Sequence, residues 1–264
     1  MIDWSLYLIL GAFAGLLAGL LGVGGGLIIV PVLVALFLQH GVHNDIIMHL
    51  ALGTSLASIV FTSLSSIHAH QRHGAILWPP FRQLTPGIML GAAIGGWLVS
   101  QMSTSWLKPL FAIFELSVGL HMLSSIKPQA HRALPGPTKM TSAGAVIGIV
   151  SSLVGIGGGT LTVPFLIWHS VNIRQAIATS AACGLPIAVA GSVSYIINGW
   201  QHPLLPEHTL GYVHLPALLG TALSSVLFAP LGARLTHRLP VALLKKIFGG
   251  LLLLLAAKLL LTEF

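Results

Sequence analysis

The chain carries GLLAGLLGVGGGLIIVP at residues 15–31 and GIVSSLVGIGGGTLTVP at residues 148–164, so that Gly22, Gly24, Gly25, Gly26 and Pro31 recur as Gly155, Gly157, Gly158, Gly159 and Pro164 at a single offset of 133 residues. Working outward, Ala51-Leu52-Gly53-Thr54-Ser55 matches Ala176-Ile177-Ala178-Thr179-Ser180, and the stretch from Gly74 through Pro79 to Phe111 matches Gly211 through Pro216 to Phe248 at an offset of 137. Self-similarity of this extent is an internal duplication. It divides the chain into a first repeat at 1–126, a polar Pro-rich linker at 127–139 and a second repeat at 140–264. The copies differ in loops: the first has extra residues from Gln39 to His49, and the second an insertion from Asn198 to Thr209.

Only 6% of the 264 residues are charged, 55% are hydrophobic and mean hydropathy is +0.93, whereas a soluble domain has roughly 25% charged residues. Apolar runs long enough to cross a bilayer recur along the chain, which predicts an all-α integral membrane protein. The start, MIDWSLYLIL, lacks the basic n-region of a cleavable signal, so the first segment is expected to stay in the mature protein. The net charge of +7 comes from residues scattered through short loops and not from aromatic-flanked basic clusters, so nucleic acid is not an expected partner. Five acidic residues and the absence of HExxH or an Asp-His-Ser cluster argue against an intramembrane enzyme. The single cysteine, Cys183, excludes an intramolecular disulfide and reads as packing.

From Trp4 to Leu38 the first Gly segment would make about 53 Å of helix, too long for one crossing of a core of roughly 30 Å and too short for two full ones. A hairpin of two short arms turning at the glycines fits that length. Loop charge tests the choice, because cytoplasmic loops collect Lys and Arg. With hairpins and an external amino terminus, only Lys108 and Lys258 of the 12 basic residues fall outside. With single crossings the split is six against six. The hairpin topology is therefore preferred, giving two inverted repeats, each a glycine-broken hairpin plus three transmembrane helices. That makes eight long spans, or ten counting the hairpin arms, with both termini in the periplasm. The remaining spans are expected near 48–68, 80–100, 106–124, 174–198, 213–235 and 240–262.

Non-helical backbone inside a bilayer is tolerated only where protein or water surrounds it. Two duplicated breaks, at Gly22 and Gly24 to Gly26 and at Gly155 and Gly157 to Gly159, would present unpaired N–H groups and the positive ends of helix dipoles, an arrangement suited to an anion. Thr54, Ser55, Thr179 and Ser180 would add hydroxyl donors or else bond back to their own helices. Close helix packing is the alternative role for the glycines. Glu115 lies within an apolar span and is either a proton-coupling carboxyl or a neutral acid bonded between helices. Its counterpart is Leu252. The 13 histidines fall mostly in or beside loops without a duplicated ligand spacing, so no metal or other cofactor is expected.

The paired GxGGG segments, each followed by an apolar stretch and a proline, together with the Thr-Ser pairs and Pro-Leu-Gly-Ala-Arg at 230–234, resemble the TauE/SafE sulfite exporter family over nearly all of both repeats. The resemblance implies a bacterial inner-membrane, multi-pass transporter of sulfite or an organosulfonate, working as an exporter, with the eight glycines at the substrate. Assembly as a homodimer is left open. A passive anion channel and a non-transporting assembly protein are the competing expectations.

Overall fold

The computed structural model describes residues 4–124, 133–236 and 241–261, so Lys127, Arg132 and Arg238 of the loop-charge tally, and residues 127–132 of the linker, lie outside the described residues. Among the described residues ten helices follow one another: α1 (Trp4–Leu21), α2 (Gly26–Gln39), α3 (Asn44–Arg72), α4 (Trp78–Ser100), α5 (Thr104–Leu123), α6 (Pro137–Leu153), α7 (Gly159–Trp168), α8 (Ile173–Asn198), α9 (Leu215–Thr236) and α10 (Val241–Leu261). A two-residue antiparallel hairpin, β1 (Thr209–Leu210) with β2 (Val213–His214), interrupts the helical order between α8 and α9. Five of the helices, α1, α3, α5, α8 and α9, are each long and apolar enough to cross a membrane, while α2 and α7 are apolar but short. Local chemistry fixes several starts. Proline occupies the first turn of α4 and α6, where a missing N–H costs nothing. The Asn172 side chain caps α8 by accepting from the Arg174 N–H.

The first hairpin turns back on itself. Tyr7 near the start of α1 and Phe37 near the end of α2 both stack on His214, with ring centroids 6.3 and 5.2 Å away, and a Cβ on Gly25 would lie 3.0 Å from the Ala14 carbonyl oxygen. Sequence neighbours along a straight helix of that length would be tens of ångströms apart.

Small residues decide which helices meet. On α1, Gly11, Gly15 and Gly19 lie four apart and rest on the backbone of Thr221, Ser225 and Ala229 of α9. On α4, Gly87, Gly91 and Gly95 rest likewise on Thr141, Ala145 and Ile149 of α6. Residue numbers rise together along both contacts, so each pair is parallel. Without side chains at the seam the backbones approach closely, the usual basis of helix packing in lipid. By contrast α3 and α8 pack antiparallel, Gly53 meeting Tyr195, Leu56 meeting Gly191 and Ser63 meeting Gly184. Helices α5 and α10 also run antiparallel, with Gly119 against Gly249 and Leu253, and Met122 and Leu123 against Gly249. The α1–α9 and α6–α4 seams are the same contact with the two halves exchanged.

Around this core the surface is apolar, with Ile9, Phe13, Leu90, Ile94, Ile113, Leu223 and Leu254 all exposed. All six tryptophans are exposed as well, at or near helix ends, as in the aromatic belts of membrane proteins. Trp78 and Trp97 bracket α4 at a separation of about 29 Å, close to the roughly 30 Å hydrocarbon core.

Candidate functional site

The two glycine breaks touch. At the first, Gly22, Gly24 and Gly25 have φ of 69, 82 and 79°, left-handed values that side chains resist. At the second, Gly155 has φ 62°, whereas Gly158 is right-handed at −62°. Gly24 and Gly157 face each other so closely that a Cβ on either would sit 2.8–2.9 Å from the other's Cα. Past the breaks, Ile28 and Ile29 donate to the Gly25 carbonyl, and Leu161 and Thr162 to that of Gly158. Gly26 and Leu27, like Gly159 and Thr160, are therefore first-turn residues whose N–H groups have no carbonyl within their own helix.

The serine of each Thr-Ser pair ties one break to the opposite half, and the threonine binds backbone elsewhere in that half. Ser55 donates to the Gly155 carbonyl at 2.7 Å and Ser180 to the Gly22 carbonyl at 3.4 Å. Thr54 accepts from the His214 N–H and Thr179 from the Leu77 N–H, both at 2.9 Å. His214 and Leu77 are themselves counterparts across the duplication. These hydroxyls thus bind backbone across the repeat boundary, with Ser180 also donating to Ile177 of its own helix.

Beside the contact lies a cavity of ≈ 10 Å³ bounded by Gly22 and Gly24 of the first break, by Ala181 and Gly184 of α8, and by Thr62, Ser63 and Ser66 of α3. That is room for about one water. The Thr62 hydroxyl pairs with Ser225 of α9 at 2.7 Å, one turn beyond a similar Ser58–Thr221 pair. The Ser66 hydroxyl is buried and has no hydrogen-bond partner among the described residues. Ser151, Ser152, Thr160 and Thr162, flanking the second break, also have hydroxyls without partners among the described residues.

Sequence reasoning singled out the glycines and the Thr-Ser pairs, which come together here, but missed Thr62, Ser63 and Ser66. The available signal was a polar residue every fourth position along an apolar helix, Thr54, Ser58, Thr62 and Ser66, which places all four on one face. Glu115 stands apart from this centre on α5, whose principal neighbour is α10. It is fully buried, and neither carboxyl oxygen has a hydrogen-bond partner among the described residues. No group of three metal-binding side chains occurs among the described residues.

A helical bundle sheathed in apolar side chains, with two broken helices meeting at its centre, has the plan of a multi-pass membrane transporter. The chain belongs to the TauE/SafE sulfite exporter family, whose model matches residues 7–259. A probable membrane transporter protein of Haemophilus influenzae is 42% identical over 95% of this chain and 96% of its own length. The probable membrane transporter protein YdhB of Bacillus subtilis is 30% identical over 91% and 96%, and one from Methanocaldococcus jannaschii is 27% identical over 89% and 86%. No solved structure matches. The protein is a membrane transporter and not an enzyme.

Proposed function

We propose that the protein is a secondary transporter that exports a small anion, sulfite or an organosulfonate, across the bacterial inner membrane from a site at the paired glycine breaks. The observation that carries this reading is the contact of the two breaks, each opening a helix whose first N–H groups have no carbonyl of their own helix. Positive helix ends meeting at a bundle's centre suit an anion. The sulfur chemistry comes from the family alone. Gly22, Gly24, Gly25 and Gly26 with Gly155, Gly157, Gly158 and Gly159 form the backbone of the site. Ser55 and Ser180 hold the two breaks in place from the opposite half, and the adjoining Thr54 and Thr179 tie the same helices to His214 and Leu77.

The fold is read as two inverted repeats about an axis in the membrane plane, with eight long spans and both termini periplasmic. Antiparallel packing of counterpart helices α3 with α8 and α5 with α10 supports this, since repeats related by an axis along the membrane normal would place those pairs parallel. A cavity with room for one water favours a carrier that must rearrange over an open channel. Each negative charge leaving an inside-negative cell gains about 2.3 kcal/mol per 100 mV, so export can run on voltage.

The test is flux of labelled sulfite and sulfoacetate into proteoliposomes under imposed voltage and pH gradients. Saturable flux is expected, and absence of flux for both anions overturns the substrate assignment. Glu115→Leu, which installs the counterpart residue Leu252, separates the roles of Glu115. If the carboxyl carries the coupling proton, the variant keeps voltage-driven flux and loses its response to the pH gradient. An unchanged pH response assigns Glu115 to structure alone.

A further inference from the structure

The duplication makes each position at the centre comparable with its counterpart, and the two sides of the break contact differ. Around the cavity, Thr62, Ser66 and Gly184 correspond to Ile187, Gly191 and Ile59 of the other half. Ala181 corresponds to Leu56. On the counterpart side those aliphatic side chains fill the space: Ile59 Cγ2 approaches within 3.5 Å of where a Gly24 Cβ would be, Ile187 Cδ1 within 3.0 Å of one on Gly158, and Leu56 Cδ1 within 2.9 Å of one on Gly191. On the cavity side the same positions are small or carry hydroxyls. A Cβ on Gly184 would enter this space, 2.9 Å from Ser63 Oγ and 4.0 Å from the Gly158 nitrogen. The absent side chain at Gly184 therefore leaves a gap between a serine hydroxyl and the N-cap residue of α7.

We infer that the anion binds on this one side, with Ser63 and Ser66 supplying side-chain donors beside the Gly158 backbone, and that Leu56, Ile59 and Ile187 form an apolar barrier on the other. The inference rests on the transport reading and gives it residues and a direction. The independent observation behind it is Ser66, which lines the cavity and whose hydroxyl is buried without a partner among the described residues. A buried hydroxyl without a partner is costly and calls for a ligand or water. An oxyanion accepts hydrogen bonds at every oxygen, so serine donors and a helix N-terminus serve it together. Neither carboxylates nor other acidic groups line the cavity, which would repel an anion. From Ser66 the same face of α3 continues to buried His70, and the helix ends at exposed Arg72. In the proposed topology that end is cytoplasmic, so an anion leaving the cell enters from the polar side and meets the aliphatic barrier last.

The experiment uses the full-length protein in proteoliposomes, measuring sulfite and sulfoacetate flux for Ser66→Ala and Gly184→Ala, with melting in detergent as the fold check. Gly184→Ala fills the cavity and is expected to abolish saturable flux. Ser66→Ala is expected to raise KM about ten-fold or more, the loss of one hydrogen bond to a charged group. In a Cys183→Ala background, Ser66→Cys should react with a charged thiol reagent from the α3 carboxyl-terminal side and be protected by sulfoacetate, while Ile59→Cys stays unreactive. If wild-type protein carries neither anion, the transport reading falls and this inference with it. If wild-type flux is saturable but Ser66→Ala retains the wild-type KM, or Ser66→Cys is labelled without protection, the one-sided site alone is overturned. Should Gly184→Ala fail the fold check, the Ser66 variants decide.

Discussion

Single residues at the centre differ in what holds them. Gly25 combines a left-handed φ of 79° with the Ala14 carbonyl 3.0 Å from any added Cβ, whereas Gly41, at φ 70°, has open space. Alanine at Gly41 is expected to cost only the backbone strain, about 1–2 kcal/mol, and to leave flux unchanged. At Gly25 the same change should also displace the break and remove flux. Comparing the two variants by melting and by transport separates strain from site. Near the loop surface, His214 accepts the Ala217 N–H through Nδ1 at 3.2 Å, capping α9. Burial first, and then the neighbouring His40 and His208, push this imidazole down to about 4. The unfolded chain, titrating near 6.5, binds more protons than the fold between pH 6.5 and 4, so stability falls as pH drops through that window. Melting in detergent should shift down by several degrees between pH 7.5 and 5. His214→Asn, which keeps a cap without a titrating group, should flatten that dependence.

At the scale of elements, the seams between α1 and α9 and between α4 and α6 depend on glycine at every fourth position. Gly91 lies against the Ala145 backbone, while Gly250 of α10 has nothing within 4 Å. Leucine at Gly91 must push α4 off α6, and the expected outcome is loss of folded protein in size-exclusion analysis. Leucine at Gly250, by the same assay, should be tolerated. These seams pair a broken helix of one half with an unbroken helix of the other, so the breaks are held by the opposite repeat as well as by their own. The Ser55 and Ser180 bonds to Gly155 and Gly22 do the same at the tip. An element that moves during transport must therefore take part of both repeats with it.

For the whole molecule, the proposed orientation places Arg72, Lys139 and Arg174 on one side and Gln101 and Gln201 on the other. All five are exposed. Single cysteines at these positions in a Cys183→Ala background should react with impermeant reagents from opposite faces of the membrane. Equal labelling of Arg72→Cys and Gln101→Cys from one face would overturn the two-sided arrangement. In that orientation the segment after α8 covers the outer end: Tyr212 is buried, its ring 5.0 Å from that of His49 and 5.7 Å from that of His202, and its N–H bonds the Tyr195 carbonyl. The first repeat has only the short 73–77 connection at the corresponding place.

Sequence alone determined the duplication, the helical membrane class and the position of both breaks, because these rest on composition, glycine spacing and segment length, which are properties of the chain in order. The expected spans near 80–100, 174–198 and 213–235 coincide within a few residues with α4, α8 and α9. Only the tertiary structure decided that Thr54 and Thr179 bind backbone of the opposite half, that Ser66 is buried beside the breaks, and that one side of their contact is polar while the other is filled by Leu56, Ile59 and Ile187. Those facts depend on which residues distant in sequence become neighbours, and a symmetric pattern of glycines carries no record of the asymmetric side chains packed around it.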